Sequence, residues 1–272
     1  MRCAVLGDPI AHSLSPVLHR AGYAALGIAD ADYDAIRVGD EELEGFLDGL
    51  ADDWRGLSLT MPLKRRALEL APTVTGRARL AGGANTLLLE HGRPVLADNT
   101  DLPGAVAAIR ERYDGPVTAG TVLGGGATAA STGLALCELG ARRVRLLARS
   151  ADRAAGAAAA IAAHPSAPAV EVGTLADGEI DGQVVVSTIP ADAQDAGLVA
   201  RCAGVSVVFE ALYNPWPTPL AAAAGDRPLV SGLDLLVHQA VLQFEMFTGV
   251  AAPLVAMRDA GTAELAARHP AR

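Results

Sequence analysis

The chain has 272 residues, of which 51% are hydrophobic and 4% aromatic, and its formal net charge is −9. This length predicts two domains with aliphatic cores, and the acidic balance argues against a nucleic-acid or anionic-membrane partner. The three cysteines are widely spaced and the histidines lack metal-ligand spacing, which predicts reduced thiols in a cytoplasmic protein and no metal site. The N-terminus shows no signal-peptide pattern, and the uncharged, glycine-rich run 115–137 favours a buried strand and turn over a membrane span.

Strand-length apolar segments alternate with helical patterns in the first part of the chain, which predicts an α/β sheet with parallel pairings. The predicted strands are 2–6, 31–37, 55–60 and a hairpin of 84–89 and 93–97 around His91-Gly92. The predicted helices are 16–26, 40–50 and 64–71.

A second alternating unit begins near residue 103. Its predicted strands are 118–123, 143–148, 169–173, 183–188 and 205–211. Its predicted helices are 103–112, 128–139 and 151–163. A further helix is predicted at 232–247, and residues 264–272 are expected to form a fraying tail.

Residues 124–129 read Gly-Gly-Gly-Ala-Thr-Ala and match the pattern G-x-G-x-x-A between a predicted strand and a predicted helix. Glycines at these positions permit a tight turn and let a pyrophosphate approach the backbone. The N-terminus of the following helix supplies unpaired N–H donors. The turn therefore predicts a dinucleotide site.

The end of the next strand indicates which dinucleotide is bound. An NAD site usually has an acidic residue about 20 positions after the glycines. Here the strand ends in Ala148-Arg149-Ser150, with Arg153 one helical turn further on and no acid at the strand end. Two guanidinium groups and a hydroxyl suit a 2′-phosphate, which favours NADP. The alternative is that Ser150 caps the helix while both arginines are solvated and Arg153 pairs with Asp152.

Lys64 is the only lysine in the chain, and arginine supplies the other basic residues. It lies in the segment 60–66, which reads TMPLKRR. A desolvated lysine can lose its proton and act as an acid or base, whereas an arginine stays charged. Lys64 is therefore a candidate acid–base residue. The alternative is a solvated lysine at a proline-flanked helix start.

Several short polar segments follow one another in a fixed order along the chain. They are GDPIAHSLSP at 7–16, TMPLK at 60–64, GANT at 83–86, DNTD at 98–101, YNP at 213–215, TPL at 218–220, Gly232, and HQA at 238–240. This ordered set resembles the shikimate dehydrogenase family, and the resemblance covers nearly the whole chain.

The resemblance implies a two-domain α/β fold. Residues 1–102 and 231–272 would form an N-terminal α/β shikimate-binding domain to which the C-terminal helices return. Residues 103–230 would form a Rossmann-type NADP-binding domain, with the reaction in the cleft between the two.

The resemblance also implies the roles of individual residues. Lys64 and Asp101 would be the catalytic pair. The substrate would be bound by Ser13, Ser15, Thr60, Asn85, Tyr213 and Gln239, with Asp101 contributing as well. The cofactor would be lined by Gly124, Gly125, Gly126, Ala127, Thr128, Arg149, Ser150, Arg153, Thr188, Ala211 and Gly232.

The implied activity is the reversible NADPH-dependent reduction of 3-dehydroshikimate to shikimate, in the pathway to chorismate and the aromatic amino acids. The expected partners are this small-molecule substrate and the cofactor NADP, in a monomer or homodimer. One alternative is a quinate/shikimate or aminoshikimate dehydrogenase that uses NAD. An alternative of another class is a non-catalytic NADP-binding sensor.

The chain departs from the family pattern at four places. Ser58 and Ala148 stand where asparagine is usual, Glu210 stands where aspartate is usual, and Leu102-Pro103-Gly104 follows Asp101 in place of Gly-x-Gly. None of these changes removes a polar group from the expected chemistry. They bear on the interdomain hinge and on adenosine binding.

Overall fold

The computed structural model describes residues 1–268 and divides the chain into two compact units. Of the described residues, 1–79, 83–100 and 236–268 form the first unit, and 80–82 and 101–235 form the second. The second unit thus includes residues 80–82, 101–102 and 231–235, which the sequence placed in the first domain.

The first unit is built on a six-stranded mixed sheet. Its strands are β1 (Arg2–Gly7), β2 (Asp32–Arg37), β3 (Trp54–Leu59), β4 (Thr73–Val74), β5 (Thr86–Glu90) and β6 (Arg93–Asp98). They are ordered β2-β1-β3-β5-β6-β4, and β1 runs parallel to both of its neighbours. The predicted hairpin is present as β5 and β6, and β5 also runs antiparallel to β3, so the sheet combines parallel and antiparallel pairings.

The helices of the first unit differ from the predicted ones at several points. They are α1 (Ser15–Ala25), α2 (Leu43–Asp48), α3 (Ala67–Leu70), α4 (Gly76–Ala81), α10 (Gly232–Thr248) and α11 (Leu254–Arg268). The last two residues of α4 and the residues of α10 before 236 belong to the second unit. Helices α4 and α11 were not predicted from the sequence. Residues 264–268, expected to be part of a fraying tail, form the end of α11, while residues 269–272 lie outside the described residues.

Helix α11 is ordered because it packs on α1. The buried Met257 lies against Gly22 of α1, where an added Cβ would be 3.4 Å from the methionine side chain. Near the end of α11, Arg268 donates to the backbone oxygen of His12 at 2.7 Å and pairs with Glu264 at 2.8 Å. The sequence of this segment has few large apolar residues, so it did not predict the packing.

The second unit is built on a six-stranded sheet in which every pairing is parallel. Its strands are β7 (Ala119–Leu123), β8 (Arg143–Ala148), β9 (Ala169–Thr174), β10 (Val184–Ser187), β11 (Val207–Glu210) and β12 (Leu229–Val230). The order β9-β8-β7-β10-β11-β12 is that of a Rossmann sheet, whose ligand crevice lies where the order reverses, between β7 and β10. The expected Rossmann-type fold is confirmed.

Helices of the second unit cover this sheet. They are α5 (Asp101–Arg112), α6 (Ala127–Glu138), α7 (Ala151–Ala162), α8 (Ala196–Arg201) and α9 (Pro219–Ala222), together with the first turn of α10. Strands β7, β10 and β11 are buried along their whole length, which explains their largely apolar sequences. The short elements α8, α9 and β12 were not predicted from the sequence.

Candidate active site

The serine pair follows β1, at the carboxyl end of that strand. Ser13 is half-buried and its hydroxyl oxygen accepts the backbone N–H of Ser15 at 3.3 Å. Ser15 begins α1 and is buried. Thr60 follows β3, the parallel neighbour of β1, and its backbone N–H bonds to Leu6 at 2.9 Å. Because parallel strands end on the same side, these hydroxyls lie at one edge of the first sheet.

Asn85 and Gln239 meet in the first unit although 154 residues separate them. The Asn85 amide donates to Gln239 Oε1 at 3.2 Å and to Thr100 Oγ1 at 2.9 Å, while its own oxygen accepts the Thr100 backbone N–H at 2.8 Å. All three side chains are buried. One polar cluster therefore joins three segments: the DNT segment at the end of β6, the start of β5, and α10.

Lys64 lies in a turn and not in the predicted helix 64–71, because α3 begins only at Ala67. The turn is closed by the bond from Leu63 N–H to the Thr60 oxygen at 2.9 Å. The backbone oxygen of Lys64 accepts from Ala84 N–H at 2.7 Å, directly before Asn85. A Cβ on Gly83 would lie 3.4 Å from the Lys64 Cβ, so the lysine backbone is packed against the GANT segment.

Asp98 anchors the DNTD segment. Its carboxylate accepts from Arg77 Nε at 2.7 Å, from Thr75 Oγ1 at 2.6 Å and from the Asn99 backbone N–H at 2.7 Å. Burial raises the pKa of Asp98, but the hydrogen bonds from Arg77 and Thr75 outweigh it and hold the pKa below its usual value. No role for Asp98 or Arg77 was predicted from the sequence. Asp101, three residues later, is buried at the start of α5 in the second unit.

A buried chain of hydrogen bonds that was not predicted from the sequence connects Tyr33 with the Asn85 segment. Tyr33 Oη donates to Ser58 Oγ at 2.5 Å, and Ser58 Oγ donates to Gln243 Oε1 at 2.7 Å. Gln243 Nε2 in turn donates to the backbone oxygen of Asn85 at 3.0 Å and to Thr86 Oγ1 at 2.9 Å. The one available signal was the spacing of Gln239 and Gln243, which places both on one face of a helix.

In the second unit the glycine turn leaves β7 at the switch point of the sheet. Gly124 has φ +124°, and a Cβ there would lie 2.1 Å from Thr188 Oγ1 at the end of β10. A Cβ on Gly125 would lie 2.3 Å from the Arg153 backbone oxygen at the start of α7. A Cβ on Gly126, by contrast, would meet no heavy atom within 4 Å.

Gly124 and Gly125 thus permit close packing. Gly126 is exposed at the N-terminus of α6, and Ala127 and Thr128 follow it. The first backbone N–H groups of such a helix have no intrahelical acceptor, and the helix dipole favours an anion there. This cradle fits the pyrophosphate of a dinucleotide.

Arg149, Ser150 and Arg153 lie together where β8 passes into α7. All three are exposed, and within residues 1–268 their side chains make no ion pair or hydrogen bond. Ser150 occupies the N-cap position of α7, yet its side chain makes no capping bond. The local pairing of Arg153 with Asp152, weighed as an alternative above, does not form. These donors fit the 2′-phosphate of NADP.

The remaining predicted cofactor residues follow β10 and β11. Thr188 donates from Oγ1 to the Leu123 oxygen at 2.9 Å, and the Ala211 N–H bonds to the Ser187 oxygen at 2.9 Å. A Cβ on Gly232 would lie 2.4 Å from the Ala211 oxygen, so only glycine lets α10 begin this close to the end of β11. Tyr213, predicted to bind the substrate, is half-buried in the loop that follows Ala211.

Two kinds of feature are absent from the described part of the chain. In residues 1–268 no three His, Cys, Asp or Glu side chains come together as a group that could hold a metal ion. No helix of those residues combines the length and apolar character needed to cross a bilayer.

Comparison with known proteins identifies the family. A family model described as the shikimate dehydrogenase substrate binding domain matches residues 5–87, and one described as the shikimate 5′-dehydrogenase C-terminal domain matches residues 232–260. A shikimate dehydrogenase (NADP(+)) of Caulobacter vibrioides is 35% identical over 271 residues, covering 91% of this chain and 89% of the relative. The chain belongs to the shikimate dehydrogenase family.

Solved structures of the family agree with the fold. Shikimate dehydrogenase of Mycobacterium tuberculosis is 41% identical, with a TM-score of 0.86, over 96% of this chain and 99% of that one. Shikimate 5-dehydrogenase of Thermus thermophilus, solved in complex with NADP(H) and shikimate, is 27% identical, with a TM-score of 0.81, over 97% and 99% of the two chains. Both likenesses span the two units, as expected from the ordered motifs.

Proposed function

We propose that this protein is an NADP-dependent shikimate dehydrogenase, which catalyses the reversible reduction of 3-dehydroshikimate to shikimate in the shikimate pathway. The observation that carries the proposal is homology to NADP(+) shikimate dehydrogenases over about nine-tenths of the chain. The free donors of Arg149, Ser150 and Arg153 support NADP as the cofactor, because a 2′-phosphate needs cationic partners and no acid stands at the end of β8.

Lys64 and Asp101 are proposed as the catalytic pair. Reduction of a ketone to a secondary alcohol needs a hydride, which NADPH supplies when bound, and a proton, which the protein must deliver. Lys64 polarises the carbonyl oxygen and donates that proton, and in the reverse direction it accepts the hydroxyl proton. Asp101 orients the ammonium group and the substrate hydroxyl. The fixed backbone of Lys64, bonded to Ala84 beside Asn85, supports this role.

The hydroxyls and the carboxylate of shikimate are proposed to be bound by Ser13, Ser15, Thr60, Asn85, Tyr213 and Gln239. Support comes from the first unit, where hydroxyls cluster at the ends of β1 and β3 and where Asn85 bonds to Gln239. Hydroxyls and amides both donate and accept, so they match ligand hydroxyl groups. In this proposal the first unit is the substrate domain and the second unit is the NADP domain.

The test is a turnover assay of the purified protein with shikimate or quinate, each combined with NADP or NAD. Absorbance of the reduced cofactor is expected to rise fastest with shikimate and NADP. Faster turnover with quinate and NAD would support the alternative dehydrogenase. Binding of NADP without turnover of either substrate would support the sensor.

Location and assembly are part of the same proposal. The three cysteines are free and buried, which supports a reducing compartment such as the cytoplasm. The oligomeric state is proposed to be a monomer or homodimer, and light scattering on the purified protein at several concentrations distinguishes the two.

A further inference from the structure

The loop 211–218 joins β11 to α9 and carries Ala211, Tyr213 and Trp216. We term it the Tyr213 loop. It has no regular secondary structure between Glu210 and Pro219. A loop of this kind needs specific anchors if it is to hold a ligand-binding side chain in one position.

Both ends of the Tyr213 loop bond to one buried carboxylate, that of Glu210. Glu210 Oε1 accepts the backbone N–H of Leu212 at 3.1 Å, and Oε2 accepts Thr218 Oγ1 at 2.8 Å. Five residues of the loop lie between these two anchors. A single side chain therefore fixes the loop where it leaves β11 and where it enters α9.

The surroundings of Glu210 consist of hydrogen-bond donors. Gln194 Nε2 donates to Oε2 at 2.7 Å and also to the Ser187 hydroxyl at 3.1 Å. Gln194 Oε1 also accepts the Leu220 N–H at 3.0 Å, which extends the anchor into α9. No cationic side chain is among the partners of Glu210 within residues 1–268.

A carboxylate suits this position because it only accepts hydrogen bonds. Glu210 is fully buried, and a buried carboxylate is tolerated only when several donors compensate for its lost hydration. An amide in its place would direct an NH2 group at the N–H of Leu212 or at the groups around Oε2. At least one end of the loop would then lose its acceptor.

We propose that Glu210 is a positioning residue for substrate binding, which acts by holding the Tyr213 loop at both ends. This inference rests on the proposed function, because it assigns Tyr213 to the substrate. Glu210 itself lies beneath the loop and is not proposed to touch substrate or cofactor.

The position of the loop can be measured without turnover. Trp216 lies in the Tyr213 loop and is 39% exposed, and the only other tryptophan of the chain is Trp54, which is buried in the first unit. In a Trp54→Phe background, Glu210→Gln is expected to raise the iodide quenching constant of Trp216 by roughly twofold as the loop is released. Val144→Ala is the matched control, because it creates a cavity in the buried strand β8 without touching the loop.

The consequence for substrate binding is measured by kinetics. Glu210→Gln is expected to raise KM for shikimate roughly fivefold or more, about the loss of one hydrogen bond, with kcat within roughly twofold of the wild type. In a Tyr213→Phe background the same substitution is expected to change KM by less than about twofold, because the loop would have lost the group that it positions. Val144→Ala is expected to lower the melting temperature without changing KM for shikimate.

A second pair of variants covers the case in which Glu210→Gln does not fold. Thr218→Val removes one donor at the far end of the loop, and Thr218→Ser keeps it. The valine variant is expected to raise Trp216 quenching and KM for shikimate, and the serine variant is expected to retain wild-type values of both.

Unchanged quenching and unchanged KM in Glu210→Gln or Thr218→Val would overturn the inference, as would an equal KM increase in Val144→Ala. An undiminished effect of Glu210→Gln in the Tyr213→Phe background would also overturn it. Failure of the wild-type enzyme to oxidise shikimate would refute the proposed function instead, and the quenching measurement would still test the anchor.

Discussion

The carboxamide of Gln239 is held at both of its ends. Its oxygen accepts from Asn85 Nδ2 at 3.2 Å, and its nitrogen donates to the backbone oxygen of Leu236 at 2.8 Å. Because a backbone carbonyl only accepts, the nitrogen must face Leu236, and the orientation of the amide is fixed. A fixed amide can present a defined donor and acceptor to a ligand without losing side-chain entropy on binding.

Gln239→Ala is expected to weaken shikimate binding by about 1–3 kcal/mol, the cost of a hydrogen bond left unmade in a mostly closed site. NADP affinity should stay within the error of the measurement, because Gln239 belongs to the first unit. Calorimetry with each ligand separately measures the two affinities. Glu245→Ala, at an exposed position of the same helix, is the control. Equal losses for both ligands, or none for shikimate, would contradict the assignment.

Lys64→Ala is expected to lower kcat for shikimate oxidation by roughly 10² or more, because the variant lacks the side chain that exchanges a proton with the substrate oxygen. Lys64→Arg should remain similarly impaired, since a guanidinium keeps the charge but does not readily yield a proton. Steady-state rates and thermal melts of both variants provide the measurement. Arg65→Ala, at the exposed neighbouring position, should turn over normally. Normal turnover of Lys64→Ala would remove the lysine from the mechanism.

Features that are determined by residues close together in the sequence could be predicted from it. The glycine turn at 124–129 is local: the apolar strand before it and the helix after it identify it, and the structure has β7 and α6 in those places. Strands β7, β10 and β11 were predicted for the same reason, since strands buried on both faces have nearly continuous apolar runs. The helix predicted at 64–71 was wrong in its first turn, because Lys64 lies in a turn that precedes α3.

Features encoded by distant residues could not be predicted. Ser58 and Gln243 bond directly although 185 residues separate them, and neither lies in a segment that the family resemblance assigned to the substrate. The missed helix α11 is stabilised by packing against α1 rather than by a strong pattern of its own. In the sequence, Glu210 stood out only because aspartate is usual at this position of the family pattern. Its partners Gln194 and Thr218 became visible only when the fold placed them around it.

Arg149→Asp is expected to shift cofactor preference from NADP towards NAD. The new carboxylate would repel the 2′-phosphate and accept a ribose hydroxyl instead. The ratio of kcat/KM for the two cofactors at fixed ionic strength measures the shift. Arg142→Asp makes the same charge change just before β8, at the opposite end from Arg149, and should leave the ratio unaltered. If both variants change the ratio equally, the effect comes from net charge and not from a phosphate site.

His19 is expected to make the stability of the protein depend on pH. It is fully buried, stacks on Tyr33 with ring centroids 4.0 Å apart, and within residues 1–268 neither ring nitrogen has a hydrogen-bond partner. Burial lowers the pKa of His19 from 6.5 to about 3, because no group compensates the imidazolium for lost hydration. The folded protein therefore keeps His19 neutral at pH values where the unfolded chain protonates it.

The lowered pKa fixes the sign of the effect. Well above pH 6.5 the His19 ring is neutral in both the folded and the unfolded state, so its titration does not change the free energy of unfolding. As the pH falls from 6.5 towards 3, only the unfolded state gains a proton, so stability is lost across that window. Relative to His19→Phe, the wild type should lose about 2 kcal/mol more of its free energy of unfolding between pH 7 and pH 5. Urea unfolding at the two pH values measures this, with His12→Ala at an exposed position as the control. Parallel losses in the wild type and His19→Phe would show that other groups cause the acid sensitivity.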